Sequence, residues 1–341
     1  MPRTLSQPSA MITAEPAANP LGSEPPLQLS PNFSYQPTPP PPSPTPSPVP
    51  APPPPPGPNP GLGLLEGLVG KWSGTGLNLI WRPTQPASGS DRFLEINLTD
   101  ETMEFDVIPG DIPNRGLLQA DLTMTGLRYL QQVTDSNLNA GLHVEPGLWL
   151  NIPATTDPAL PATIARLATI PHGSSIVAQG IASPPLAGPP AVPAASITPF
   201  AIGNPAALLQ FPEQTLADQS NFRTSGQGLN GVTQDMVNNP NSVLSNALNG
   251  LTIASTVTLQ VSTDDTTPIL GGGVANTAFL QGGPGGPNAV AARVSATFWL
   301  QTIQGSAQPN LLQYSQTVLL NFNGITWPHV SVATLRPAPT P

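Results

Sequence analysis

Cysteine is absent from this chain, and histidine occurs only three times. No disulfide framework and no thiolate site can therefore be built, while the redox character of the compartment stays open. Charge is also scarce: 9% of residues are charged, and the net charge is −9. An acidic chain without a basic cluster argues against nucleic acid and anionic membrane as partners. No apolar run reaches the ~18 residues that span a bilayer. The opening "MPRTLSQPSAMITAEPAANP" has no basic start leading into an apolar core, so no export signal is expected and the cytoplasm is the default location. On the same ground the triplets Asn32–Ser34 and Asn97–Thr99 are not expected to carry glycan.

Several catalytic signatures are missing as well. There is no Gly-x-Ser-x-Gly elbow, no phosphate-binding loop ending in lysine, and no His-x-x-x-His pair. "GGGV" and "GGPGGP" read as hairpin turns, and the carboxylates are too scattered to propose a hydrolase. No repeat of fixed period appears, which excludes solenoids and propellers.

What the chain has in abundance is proline, 49 residues, of which 23 fall in positions 1–60. The run "PTPPPPSPTPSPVPAPPPPPGPNP" fixes φ, removes amide donors and offers almost no apolar side chains. A disordered, semi-rigid tether over residues 1–60 is expected, with the folded domain spanning 61–337. The tether is read as a spacer, with docking on an aromatic groove of a protein partner as its other role.

The domain opens with "GLGLLEGLVGKWSGTG", in which Leu64, Leu65, Leu68 and Val69 are spaced for one apolar helical turn. In "RFLEINLTDETMEFDVIP", Phe93, Glu95 and Asn97 alternate with Leu94, Ile96 and Leu98, the period of a half-buried strand. Strand patterns recur in "LNLIWRP", "LLQADLTMTGLRYLQQVTD", "GLHVEPGLWLNIP", "TIARLATIP", "SSIVAQGIA", "LTIASTVTLQVST", "TAFLQ", "AARVSATFWLQTI", "LLQYSQTVLLNF" and "WPHVSVATLR". Residues 181–250 interrupt them with an irregular, proline-rich insertion, expected to be a lid. Its one helix should start at Asn239 as cap and Pro240 as first turn, and stop at Gly250. Many strands, little helix and frequent turns indicate an all-β antiparallel sandwich or closed barrel.

Three histidines carry the chemical options. His329, Ser331, Ala333 and Leu335 share one face of the last strand, and Val330, Val332 and Thr334 share the other. Small groups beside the ring leave a gap, which would forfeit on the order of 1 kcal/mol per missing methyl if nothing filled it. The gap is filled either by a ligand or by bulky neighbours around a neutral, hydrogen-bonded histidine. His143 precedes Glu145 by two residues, so a regular strand aims both the same way. They form either an imidazole–carboxylate pair of catalytic use or a surface pair at a strand end, with Pro146-Gly147 making a turn. His172, between Pro171 and Gly173, reads as part of a tight connection.

Four stretches together resemble the nitrobindin-like heme-binding β-barrel family: "GKWSGTG", "LHVEPGLW", "IPHGSSIV" and "WPHVSVATLR". They cover residues 61–180 and 290–337, roughly half of the chain. The resemblance implies a ten-stranded up-and-down barrel of fatty-acid-binding and lipocalin architecture. It implies heme b as cofactor, with His329 as its iron ligand and Trp72, Gly74, Ser331 and Ala333 around it. The implied chemistry is ferric heme acting on nitric oxide or peroxynitrite. The chain departs from the pattern in its insertion, in its proline-rich start, in Val330 where leucine is usual, and in a proline that precedes His172. Two other readings remain: a carrier of an apolar small molecule without iron, and a peroxidase-like or dehydratase-like heme enzyme using His143, Glu145 and His172.

Overall fold

A computed structural model of the chain describes residues 61–84, 89–116, 120–170, 173–264, 272–276, 281–283, 286–287 and 289–338. The tether at 1–60, His172, and all of "TAFLQ" but Gln281 lie outside these residues. Ten long antiparallel strands follow one another in sequence order. They are β1 (Gly70–Pro83), β2 (Arg92–Val107), β3 (Leu122–Asp135), β4 (Ala140–Ile152), β5 (Thr163–Ile170), β6 (Ser174–Ala182), β7 (Ile253–Ser262), β8 (Val290–Ile303), β9 (Leu311–Phe322) and β10 (Ile325–Pro337). β10 returns to pair with β1 from Trp72 opposite Pro337 to Leu79 opposite Val330, which closes the sheet. The architecture is the all-β, up-and-down barrel expected from the sequence. Among the described residues, no helix is long and apolar enough to cross a membrane.

One end of the barrel is filled. The apolar turn is a 3₁₀ helix, Gly63–Leu68, which buries Leu65 and Leu68 completely in the interior cluster. The Trp72 indole N–H donates to the Leu68 carbonyl at 2.7 Å and fastens the turn to β1. Above it lie Trp149 against Phe298 (ring centroids 5.1 Å, edge-on) and Phe298 stacked on Tyr314 (5.3 Å). Such pairs add roughly 0.5–1.5 kcal/mol beyond the area they bury.

The outer wall of β1, β2, β9 and β10 is also buried, which reverses the usual reading of their alternation. Leu77, Leu79, Trp81, Leu94, Ile96, Phe322, Trp327, Val330 and Val332 form a second cluster outside the barrel. Residues from the 181–250 insertion cover it, including Ile197, Val237 and Leu244. The expected lid thus lies as a strap on the wall, and none of its residues lines the interior cavity described below. Trp81 packs on Phe211 and Trp327 and donates its N–H to the Ile197 carbonyl at 2.9 Å. The strap also repairs an edge. β3 pairs with β2 only from Thr99 onward, and Leu94 is instead bridged to Arg223 of the strap. Irregular though it is, the strap is held by the Arg223 guanidinium, which donates to the carbonyls of Glu213, Thr215 and Asp218.

The expected helix is shorter than its sequence signals. α1 (Gln234–Asn238) ends at Asn239, and α2 (Ser242–Ala247) begins after Asn241. Asn239 is not a helix N-cap, because its side chain accepts the Ala195 N–H at 3.0 Å and ties the strap to itself.

Trp81→Ala should cost about 3–5 kcal/mol in chemical denaturation. Limited proteolysis of that variant should cut within 190–250 before it cuts any barrel strand.

Candidate functional site

The half of the barrel opposite the 3₁₀ plug is hollow. Its cavity has a volume of about 450 Å³, within the ~300–1,000 Å³ common for small-molecule sites. Ile80, Val133, Ile176, Val294 and Val318 supply an aliphatic lining. Asn78, Glu101, Gln131, His143, Gln316, His329 and Ser331 are among the polar groups that face it, together with Ser174, Tyr314 and the pair Arg82 and Glu95. Both described histidines therefore open on one space, although 186 residues separate His143 from His329 in the chain.

His329 stands at the start of a directed chain of hydrogen bonds across four neighbouring strands. Its Nε2 lies 2.7 Å from the Asn78 side-chain carbonyl, which also accepts the Ser331 hydroxyl at 2.8 Å. Asn78 donates its amide N–H to Asn97 at 3.3 Å, and Asn97 donates to the Asp135 carboxylate at 2.8 Å. Asp135 is buried, and its other oxygen accepts the backbone N–H groups of Asn137 and Leu138. A carboxylate at the end of the chain only accepts, so each amide upstream is oriented by the next one. The direction passes back to His329, whose Nε2 must carry the proton and donate.

His143 is held differently. Its Nε2 is 3.1 Å from Glu145 Oε2, and Glu145 is completely buried. The other Glu145 oxygen accepts hydrogen bonds from Tyr129 and Arg166. Arg166 lies among the rings of Tyr129, Trp149 and Phe298, with its guanidinium carbon 5.3 Å from the Phe298 centroid, and donates to Gln316 at 2.7 Å. Burial alone would raise the Glu145 carboxyl. The Arg166 charge, with help from His143 and Tyr129, outweighs it and holds the group at about 2. The pair is thus interior, and the expected surface turn at Pro146-Gly147 does not form. β4 runs straight through it, with Pro146 one position before the β5 ladder begins at Gly147. A Cβ on Gly147 would stand 2.4 Å from the Leu167 carbonyl oxygen and 2.5 Å from the Tyr129 ring, so the glycine makes room for the β5 backbone and for that ring rather than for a turn.

Glu101 is the third buried acid. It accepts from Tyr314 at 2.7 Å, from Thr99 at 2.8 Å and from Gln131 at 3.3 Å. Burial raises its pKa against these hydrogen bonds and the nearby His143. Gly76 explains how it fits: a Cβ there would lie 2.8 Å from Glu101 Oε1 and 2.3 Å from the Val332 carbonyl oxygen. Gly76 closes the "GKWSGTG" stretch, so one glycine of that motif is needed to seat this acid.

Of the residues expected in the site, His329, Ser331 and His143 line the cavity, and Glu145 supports His143 from behind. Trp72 and Ala333 belong to the filled half of the barrel. Gly74 lets β10 approach β1, since a Cβ would meet the Thr334 carbonyl oxygen at 2.1 Å. Asn97 is 3% exposed and its amide is engaged with Asp135. Asn78, Glu101, Gln131, Asp135 and Arg166 were not singled out by the sequence. The available signal was their occurrence at mid-strand in a chain with so few charged residues.

Heme fits this arrangement in its surroundings but not in its donor. The aliphatic lining suits an apolar ring system. Iron, however, needs a bare Nε2 on His329, and that nitrogen is committed to Asn78. Among the described residues, no group of three His, Cys, Asp or Glu side chains could hold a metal ion.

No protein-family model matches the sequence, and a search of curated proteins finds no match. Among solved structures, the crystal structure of Rv2717c from M. tuberculosis is similar to the chain at 14% identity and a TM-score of 0.37. The match covers 82% of this chain and 98% of that one. The likeness to nitrobindin-like proteins thus rests on the four sequence motifs.

Two outcomes test the site. Glu145 is depressed in the folded state, so its contribution is complete above its ordinary value of 4.5 and is lost as pH falls from there toward about 2. Urea titrations across that window should show stability falling with pH, and Glu145→Gln should flatten the slope. At neutral pH the same variant leaves Arg166 buried without its partner and should lose about 3–5 kcal/mol. Nitrogen-15 NMR of imidazole-labelled protein should find His329 as the Nε2–H tautomer, and Asn78→Ala should remove that preference.

Proposed function

We propose that the barrel binds a small, largely apolar molecule inside its hollow half. The observation that carries this reading is the cavity itself: a largely aliphatic pocket of about 450 Å³ with a few polar groups converging on it. Apolar surface removed from water drives such binding at about 25 cal/mol per Å², and the polar groups fix orientation. In this role His329 is one oriented donor among several, its proton aimed by the Asp135–Asn97–Asn78 chain.

A second reading keeps heme as the ligand, favoured by an imidazole on the wall of an aliphatic cavity with small Ser331 beside it. His329 would hold the group once its Nε2 gave up Asn78. When bound, heme would supply an iron for nitric oxide or peroxynitrite, as the sequence resemblance implies. In this reading His143, kept in place by Glu145, would be a second group on the cavity wall able to give or take a proton.

Fluorescence of N-phenyl-1-naphthylamine, a neutral apolar probe, should rise on binding to the wild-type protein. Val318→Trp, which fills the lining, should weaken that binding by about tenfold or more. Unchanged binding in this variant overturns the cavity as the site. Hemin titration separates the readings. A Soret band that His329→Ala abolishes supports heme, whereas identical spectra in both proteins rule out His329 as its ligand.

A further inference from the structure

The charges inside the barrel do not balance, and the imbalance selects a ligand. Arg166 is spent on Glu145, lies 1% exposed, and does not reach the cavity. Arg82 lines the cavity together with Glu95, paired with it at 2.8 Å and with its side chain about half exposed. These two opposite charges cancel, which leaves the net charge of the cavity wall to the remaining acid. Glu101 differs from both acids in its partners. It lines the cavity, is 3% exposed, and the groups that donate to it, Tyr314, Thr99 and Gln131, are all neutral. His143 and His329 face the same space, each with its Nε2 against an acceptor.

We infer that the occupant of this cavity is an amine: an apolar body whose protonated nitrogen lies against Glu101. This inference rests on the carrier reading and narrows it. A buried carboxylate whose direct donors are all neutral is costly, and a charged, hydrogen-bonded partner removes that cost. Burial already pushes the Glu101 carboxyl up, so an ammonium arriving beside it restores the ionised form. A ligand carboxylate meets the opposite situation. It would approach Glu101 itself, while Arg166 and Arg82 already have carboxylate partners. The neutral donors around Glu101 also fit, because they hold the carboxylate in place without cancelling its charge.

The test compares three probes of equal chain length, octylamine, octanol and octanoate, by calorimetry and by displacement of N-phenyl-1-naphthylamine. It is run at about pH 8, where an alkylamine is protonated and an imidazole of ordinary pKa is neutral. The expected result is octylamine tighter than octanol by about tenfold, with octanoate weakest. Glu101→Gln, which keeps the size of the side chain and removes its charge, should bring octylamine down to the level of octanol. Retained octanol binding reports an intact cavity. If that variant does not fold, the wild-type ranking alone decides. Equal binding of all three, a preference for octanoate, or an amine preference that survives Glu101→Gln each overturns the inference and leaves the carrier reading standing. If no probe binds and the naphthylamine is not taken up either, the carrier reading falls and this inference with it.

Discussion

The pairing of β10 with β1 is the constraint from which the remaining features follow. A closed ladder has no free edge, so backbone groups along the ten strands are satisfied by their neighbours. Closure also divides every strand into an inward and an outward set of side chains, with no freedom to slip by one residue. Whatever faces inward must be packed, hydrogen-bonded or wetted by the cavity. The plug of Leu65 and Leu68, the Trp149–Phe298–Tyr314 stack and the hollow above them are three consecutive answers to that demand along one axis.

Polar groups occupy the level where the packed half meets the hollow half, and each is tied to a specific partner. The strongest tie is Glu145 with Arg166, where two charges are buried together and boxed by aromatic faces. Removing either leaves an uncompensated charge in a low-dielectric interior, which is why such a pair constrains the fold more than it stabilises it. The His329–Asn78–Asn97–Asp135 chain does its ordering at lower cost, since three of its four members are short side chains on adjacent strands. Their cross-strand positions, Asn78 opposite Ser331 and opposite Asn97, set the spacing that makes the chain continuous.

The antiparallel all-β class was legible in the sequence because period-two alternation and turn signals survive any tertiary context, whereas the choice of barrel over sandwich came from the resemblance of the four motifs. That His329 and Ser331 share one face was legible from parity, but whether that face met a hollow or bulky neighbours was left open. Parity did not say which face of β2 looks inward. Leu94 and Ile96 invite an inward reading, yet they lie outside under the strap, while Glu95, Asn97 and Glu101 look in. The strap was hidden because prolines and short side chains carry no periodic signal. Its order comes from hydrogen bonds of Arg223 and Asn239 to distant carbonyls and amides. At Pro146-Gly147 a turn was one of two readings, and the actual requirement is room for the Leu167 carbonyl and the Tyr129 ring.

The strap and the polar cavity wall are one feature seen from two sides. A strand must bury apolar surface somewhere to offset the entropy of fixing it. In most closed barrels that surface is the inner face. Here β1, β2 and β10 bury theirs outward, under residues of the 181–250 segment, through Leu77, Leu79, Trp81, Leu94, Ile96, Val330 and Val332. At the level of the cavity their inner faces are thereby released from core duty, although Trp72, Phe105 and Leu335 still pack the filled end. It is these three strands that carry Asn78, Glu95, Asn97, Glu101, His329 and Ser331 toward the interior. The insertion shapes the site without touching it. By taking the hydrophobic burden outside, it allows a wall of hydrogen-bonding groups, and one acid with only neutral partners, to line an otherwise aliphatic hollow.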